Sequence, residues 1–203
     1  ERAAQNIRHW FLEPASKMNP HLSYAQFVPG RNTGRNFGII DTIEFIYLFE
    51  LVERLEFNRH WTETDLAGLK EWTRDYLDWL LTSELGRQEC ATRNNHADWY
   101  DAQIVAFSLF AGKPEIARRQ LLEYTVPRLE TQLAPDGSLP FELERTLSKH
   151  YTVGTLYCFA LLAYMAQNCF GIDLWNRSNL HGVSLRQSMA WVDRQLDSKE
   201  PWA

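Results

Sequence analysis

The 203-residue sequence is poor in the residue patterns that hold metals, disulfides or phosphates. Its three cysteines, Cys90, Cys158 and Cys169, form no CxxC pair and leave an odd thiol, which excludes a disulfide framework and a cysteine zinc cage and points to buried thiols. The six histidines show no ligand spacing and HExxH is absent, so no metal site is expected. "NTGRNFG", residues 32–38, has two glycines but neither the GxGxxG nor the GK[ST] pattern that cradles phosphate, and no cofactor is expected. No apolar run reaches the roughly 18 residues that read as a membrane span, and "ERAAQNIRHWFLEPA" has neither a basic n-region nor an apolar h-region. Excess positive charge is lacking too. A net charge of −5, with acids and bases interspersed, argues against nucleic acid as the main partner, and a polyanionic ligand would need a locally basic cleft.

What is present is a hydrophobic fraction of 45%, enough for a sizeable core and read here as one domain over residues 1–203. There is no initiator Met, and Ala3, Ala4, Ile7 and Trp10/Phe11 fall on one helical face. The sequence therefore reads as entering inside an amphipathic helix, and a longer chain with a further N-terminal part is expected.

Helical punctuation dominates, and no β-alternating run of useful length occurs. Asp41 and Glu44 have capping-box spacing ahead of "TIEFIYLFELVERLE", residues 42–56. Thr62 and Asp65 flank the start of a second helix, whose Leu66, Leu69, Trp72, Tyr76 and Leu80 recur at helical spacing. From His96, an apolar stripe of Ala102, Val105, Ala106, Leu109 and Phe110 runs to Gly112, and Pro114 suits the first turn of the next helix. That helix contains Pro127, which should kink or break it near Val126, and "APDGS" then reads as a turn. Residues 152–170 are apolar on nearly every face, as in a helix surrounded by others, and Gly171 should end it. Leu185, Met189, Val192 and Leu196 mark a last amphipathic helix. The pattern predicts an all-α fold of antiparallel helical hairpins, seven or so helices in all: a bundle, a solenoid or an α/α toroid, with no internal repeat to favour the solenoid. A long loop, residues 13–41, carries two Arg, four Asn/Gln and one Tyr, and its length points to function.

Two stretches carry chemistry. In "ATRNNHADWYDAQ", residues 91–103, Asn95 and His96 stand where a helix begins. At 100° per residue His96 projects about 110° from the centre of the apolar stripe, with Trp99 and Gln103 on the same edge, so it sits at a rim from which it can reach a ligand. The plainer alternative is a cap made by Asn94 or Asn95 with His96 merely exposed. In "FELERTLSKHY", residues 141–151, Arg145, His150 and Tyr151 follow a turn. Arg145 and Tyr151 lie six apart, an offset of about 240° on a helix, so they share a site only if Arg145 is on a turn or extended segment; otherwise Arg145 pairs with a surface acid and Tyr151 packs. Glu142 with Glu144, or Asp98 with Asp101, offers the carboxylate pair of a glycoside hydrolase. A helical scaffold that binds carbohydrate without turnover is a further alternative.

"NNHADWYDAQ" and "ELERTLSKHYT", followed by "LYCFALLAYMAQNCFGIDLW", resemble the alginate lyase superfamily, in particular polysaccharide lyases of families 5 and 38. "FLEPASKMNPHLSYAQFVPGRNTGRNFGIIDT" and "YLDWLLTS" resemble the same group, so the likeness runs over residues 1–176 and fades after Trp175. The Arg-to-Tyr interval is of the family 38 type. The resemblance implies an α/α toroid, here an incomplete barrel of helical hairpins, a secreted or periplasmic setting, and β-elimination on an acidic polysaccharide such as alginate or glucuronan. It also implies an active site of Asn95, His96, Arg145 and Tyr151.

β-Elimination needs those residue types. It removes the C5 proton of a uronate, so the adjacent carboxylate must be neutralised by donors while negative charge develops, a task that fits Asn95, His96 and Arg145. A tyrosine, with an ordinary pKa of about 10 that a neighbouring Arg can lower, can take that proton. If the proton and the leaving oxygen lie on one face of the sugar, Tyr151 is base and then acid; if on opposite faces, His96 is the base and Tyr151 the acid. Substrate contacts are expected from Trp99 and Tyr100 by stacking and from Asn32, Arg35, Gln103 and His150. Arg31, Arg35, Arg93, Arg145 and Lys149 supply positive charge to these segments.

Overall fold

The computed structural model describes residues 1–55, 58–198 and 202. Among them are ten α-helices: α1 (Arg2–Phe11), α2 (Glu44–Glu53), α3 (Glu63–Thr82), α4 (Glu84–Cys90), α5 (Asn95–Phe110), α6 (Pro114–Gln120), α7 (Val126–Gln132), α8 (Pro140–Leu143), α9 (Ser148–Phe170) and α10 (Leu185–Asp197). A 3-10 helix, Asn36–Thr42, precedes α2. No β-strand occurs among the described residues; Val28 and Asn32 form an isolated bridge. The count exceeds seven because α4 and α8 are too short to show a periodicity and the helix expected from Pro114 is divided into α6 and α7.

The chain divides into two compact units, Glu1–Glu89 with Ala106–Pro114, and Cys90–Val105 with Glu115–Ala203. The first is built on aromatic packing. Phe11 meets Trp72 edge-on at 4.7 Å, Phe49 stacks on Phe110 at 4.8 Å, and the Tyr76 hydroxyl is 2.7 Å from that of Thr42. Arranged edge-to-face or offset, such rings add about 0.5–1.5 kcal/mol per pair beyond their burial. The start of α3 is the predicted capping box, with Thr62 and Asp65 each accepting from the other's backbone N–H. Asp65 is also gripped by Arg8, whose Nε donates at 2.7 Å.

The start of α2 differs from expectation. Asp41 caps nothing: its Oδ1 accepts from the side chain of Gln26, and the helix begins at Glu44, after the 3-10 segment. Glu56, the last residue of the predicted helix, lies outside the described residues. The long loop is itself ordered by turns, one of which needs glycine: Gly34 has φ +145°, and a Cβ there would collide with the Ser23 carbonyl.

In the second unit the break at Pro127 takes the form of a π-helical turn, Leu121–Thr125, running straight into α7. Proline has no N–H to give to the turn before it, so the backbone widens there instead of continuing in α-helical register. α5 is not the amphipathic helix expected. Asp98, Asp101, Gln103 and Ser108 are as fully buried as Ala102 and Ile104, so no edge is solvated. α9 deviates in the opposite sense. It buries Thr152, Leu156, Phe159 and Leu162 but exposes Val153, Tyr157 and Tyr164, a stripe along one side. By length and composition α9 would suffice to cross a bilayer, and 44% of its most apolar stretch is buried inside the structure. Gly171, at φ +66°, ends it. Of the three thiols, Cys158 is buried, Cys90 half-buried and Cys169 exposed, so the reading of all three as buried holds only for Cys158.

Candidate active site

A helix start leaves its first four N–H groups without partners in the helical i−4 pattern, and side chains supply acceptors for two of those of α5. Asn94 stands ahead of the helix, and its Oδ1 accepts from the His96 N–H at 3.3 Å. The Asn95 N–H goes to Glu142 Oε1 at 2.7 Å, a carboxylate placed at the positive end of the helix dipole. Capping therefore falls to Asn94 and Glu142. The side chain of Asn95 is left for other work, and its Oδ1 accepts from Arg145 Nη1 at 2.7 Å.

Arg145 lies in the turn between α8 and α9, as a shared site with Tyr151 requires. Tyr151 occupies the first turn of α9, and the Arg145 guanidinium carbon sits 3.6 Å from the centre of its ring. Arg145 thus joins Asn95 and Tyr151. His150 meets the Tyr151 ring edge-on at 5.4 Å. His96 is half-buried and lies near the Glu142 carboxylate.

Behind this arrangement lies a buried polar cluster. Asp101 accepts from Arg128 Nε at 2.9 Å, from Gln120 at 2.7 Å and from Thr125 at 3.0 Å. Burial pushes the Asp101 carboxylate up, and Arg128 pulls it back. Burial alone would lower Arg128, but the charge and hydrogen bonds of Asp101 hold it above its ordinary value. Asp98 is pushed well up, first by burial and then by Asp101; its one hydrogen bond comes from Gln132 Nε2 at 2.7 Å. Glu142 is also raised by burial, against the pull of the Asn95 N–H and Arg145. Three of the four carboxylates considered for a hydrolase, Asp98, Asp101 and Glu142, are therefore sealed from solvent, and Glu144 alone is exposed. Neither of the two pairs is therefore open to flank a glycosidic bond.

The sequence matches the family described as alginate lyase over residues 1–202. The chain belongs to the alginate lyase family. Among solved structures, the crystal structure of an alginate lyase from Bacteroides ovatus is similar, with 31% identity and a TM-score of 0.92 over 98% of this chain and 52% of that one. The chain thus spans about half the length of that protein. No curated protein sequence gives a significant match. The fold is of the same all-α, α/α-toroid class. The family match extends through α10 to residue 202 rather than fading after Trp175.

In this alginate lyase family member Asn95, Arg145 and Tyr151 are brought into direct contact, with His96 at the same helix start and His150 against Tyr151. Three of the residues expected to contact substrate are buried. Tyr100 and Gln103 are 3% and 0% exposed, and Trp99 is covered, with the exposed Tyr157 ring 6.2 Å away. These three fill the interior because α5 is enclosed on all sides. Asn32 and Arg35 belong to the first unit, where Asn32 Oδ1 accepts from the N–H groups of Val28 and Gly34, and Arg35 donates to Gln26 and lies over Phe37. Tyr157 escaped the sequence reading, and Glu142 entered it only as a hydrolase carboxylate. Tyr157, with Leu147, Lys149, His150 and Val153, lines an open groove of about 710 Å³. Glu142 binds Asn95 and faces Arg145; its spacing of three residues ahead of Arg145 was the available signal.

Proposed function

We propose that this chain carries the catalytic residues of a lyase that cleaves a uronic-acid polysaccharide, alginate or glucuronan, by β-elimination. One observation carries the reading most directly: Arg145 holds the Asn95 side-chain oxygen and covers the ring of Tyr151. Because Arg145 occupies Asn95 Oδ1, the amide is oriented with Nδ2 as its remaining donor. Nδ2, the Arg145 guanidinium and the His96 imidazole then converge on the carboxylate of the sugar and neutralise it, which stabilises the charge that develops when the C5 proton leaves.

Tyr151 serves as base where C5–H and the leaving oxygen share a face of the sugar. The C5–H electron pair becomes the C4–C5 double bond, the C4–O bond breaks, and the departing oxygen takes the proton from Tyr151. On a substrate of opposite stereochemistry, His96 takes the C5 proton and Tyr151 protonates the leaving oxygen. A polymer of this size and charge does not cross a membrane unaided, so we place the enzyme in the periplasm or outside the cell.

The test is the far-ultraviolet absorbance of the conjugated double bond, followed for polymannuronate, polyguluronate and glucuronan with the full-length protein. A rise identifies a lyase and its preferred uronan together. Shortening of a polymer with no rise in absorbance would replace the reading with hydrolysis.

A further inference from the structure

Glu142 is completely buried on the four-residue helix α8 and spends its carboxylate on the two residues that the proposed mechanism uses as carboxylate donors. Oε1 accepts from the Asn95 N–H at 2.7 Å, and Oε2 stands 3.6 Å from Arg145 Nη1. The same Nη1 donates to Asn95 Oδ1 at 2.7 Å. The three residues therefore close a ring: Glu142 to the backbone of Asn95, the side chain of Asn95 to Arg145, and Arg145 back to Glu142. Thr155, one turn past Tyr151 on α9, lies beside this carboxylate and helps to hold its charge. Glu142 Oε2 has no hydrogen-bond partner of good geometry, and Arg145 Nη1 is the charged donor 3.6 Å from it.

A backbone N–H needs only a neutral acceptor, which a glutamine in this place would provide. A buried charge is costly unless it is paired, and the Arg145 guanidinium stands 3.6 Å from Oε2. We infer that Glu142 is a positioning residue for this site: its carboxylate holds the Arg145 guanidinium between Asn95 and the Tyr151 ring, and so fixes the orientation in which Asn95 presents its amide to the substrate. This rests on the β-elimination reading for its consequence in turnover, but not for the geometry itself. The assignment also explains why a carboxylate that a hydrolase would need in solvent is sealed away from it.

The substitution that separates these roles is Glu142→Gln, which keeps the acceptor for the Asn95 N–H and removes the charge. Two readouts on the full-length protein are needed. The first is the NMR signal of the Arg145 guanidinium, assigned through its loss in Arg145→Lys. Restricted rotation is expected in the parent protein and free rotation in Glu142→Gln, with both equally folded by thermal melting. The second is turnover of the uronan: kcat should fall roughly 10- to 100-fold with KM little changed, as expected when a donor is misplaced by a fraction of an ångström to an ångström. An Arg145 signal that stays restricted in Glu142→Gln would overturn the assignment. So would an unchanged kcat in a parent protein that turns over. Should the parent protein form no unsaturated product, the β-elimination reading fails, and the guanidinium signal still decides whether Glu142 positions Arg145.

Discussion

The guanidinium carbon of Arg145 lies 3.6 Å from the ring centre of Tyr151, while its Nη1 donates to Asn95 Oδ1 at 2.7 Å. A planar cation does both at once because its face can cover an aromatic ring while its edge donates hydrogen bonds. A lysine keeps the charge but has neither the plane nor the fork. Arg145→Lys is therefore expected to lower kcat/KM by roughly 10²- to 10³-fold, the scale of losing a preorganised donor. Its melting temperature should stay close to that of the parent, since the Arg145 side chain is 26% exposed. Initial rates on the preferred uronan, with a thermal melt alongside, check this.

Asp98 and Gln132 are joined by a single hydrogen bond, from Nε2 to Oδ1, yet Asp98 Oδ2 and Gln132 Oε1 both lack partners. A protonated Asp98 resolves this, since its O–H can turn to Gln132 Oε1. Burial first, and the charge of Asp101 second, raise the Asp98 pKa well above the ordinary carboxylate value. The sign follows directly. Above about pH 4 the unfolded chain releases this proton while the folded protein keeps it, so stability falls as pH rises, by up to about 1.4 kcal/mol per pH unit until the folded group titrates. Asp98→Asn mimics the neutral acid, with an amide N–H in place of the O–H. Urea melts at pH 4.5 and 7.5 should show the variant gaining on the parent as pH rises; a variant less stable than the parent at pH 7.5 would contradict a neutral Asp98.

Arg128 is the cation of the same cluster, bound to Asp101 through Nε at 2.9 Å and to the Cys90 carbonyl through Nη2 at 2.8 Å. Removing it strands a completely buried carboxylate. Arg128→Met should cost about 3–5 kcal/mol, read from the midpoint and slope of a urea transition. The double variant Arg128→Met with Asp101→Asn should recover part of that loss, because the stranded charge is gone.

Local punctuation was legible because it depends on neighbours in sequence. Thr62 with Asp65, Pro127 and Gly171 act on their own turns, and each sits where the pattern placed it. Arg145 was legible conditionally: helical geometry required a turn there, and α8 ends just before it. What failed depends on distant residues. Asp41 looks like a cap until Gln26 takes its carboxylate. Asp98, Asp101 and Gln103 look like a solvated edge until Gln132, Arg128 and the surrounding helices enclose them, and Trp99 and Tyr100 go inside with them. Asn95, His96, Arg145 and Tyr151 entered together as the active site that the family resemblance implies, and the fold joins Asn95 and Tyr151 through Arg145. Glu142 was legible only as half of a hydrolase carboxylate pair with Glu144, and only the fold shows it beneath the α5 N-terminus.

The central claim is that Tyr151 moves the proton in β-elimination. Its most direct test is Tyr151→Phe, which keeps the ring under Arg145 and removes only the hydroxyl. The unsaturated product should form roughly 10²- to 10⁴-fold more slowly, the usual range for a lost acid–base group, with substrate still bound. A Tyr151→Phe protein that releases unsaturated product at the parent rate would contradict the account.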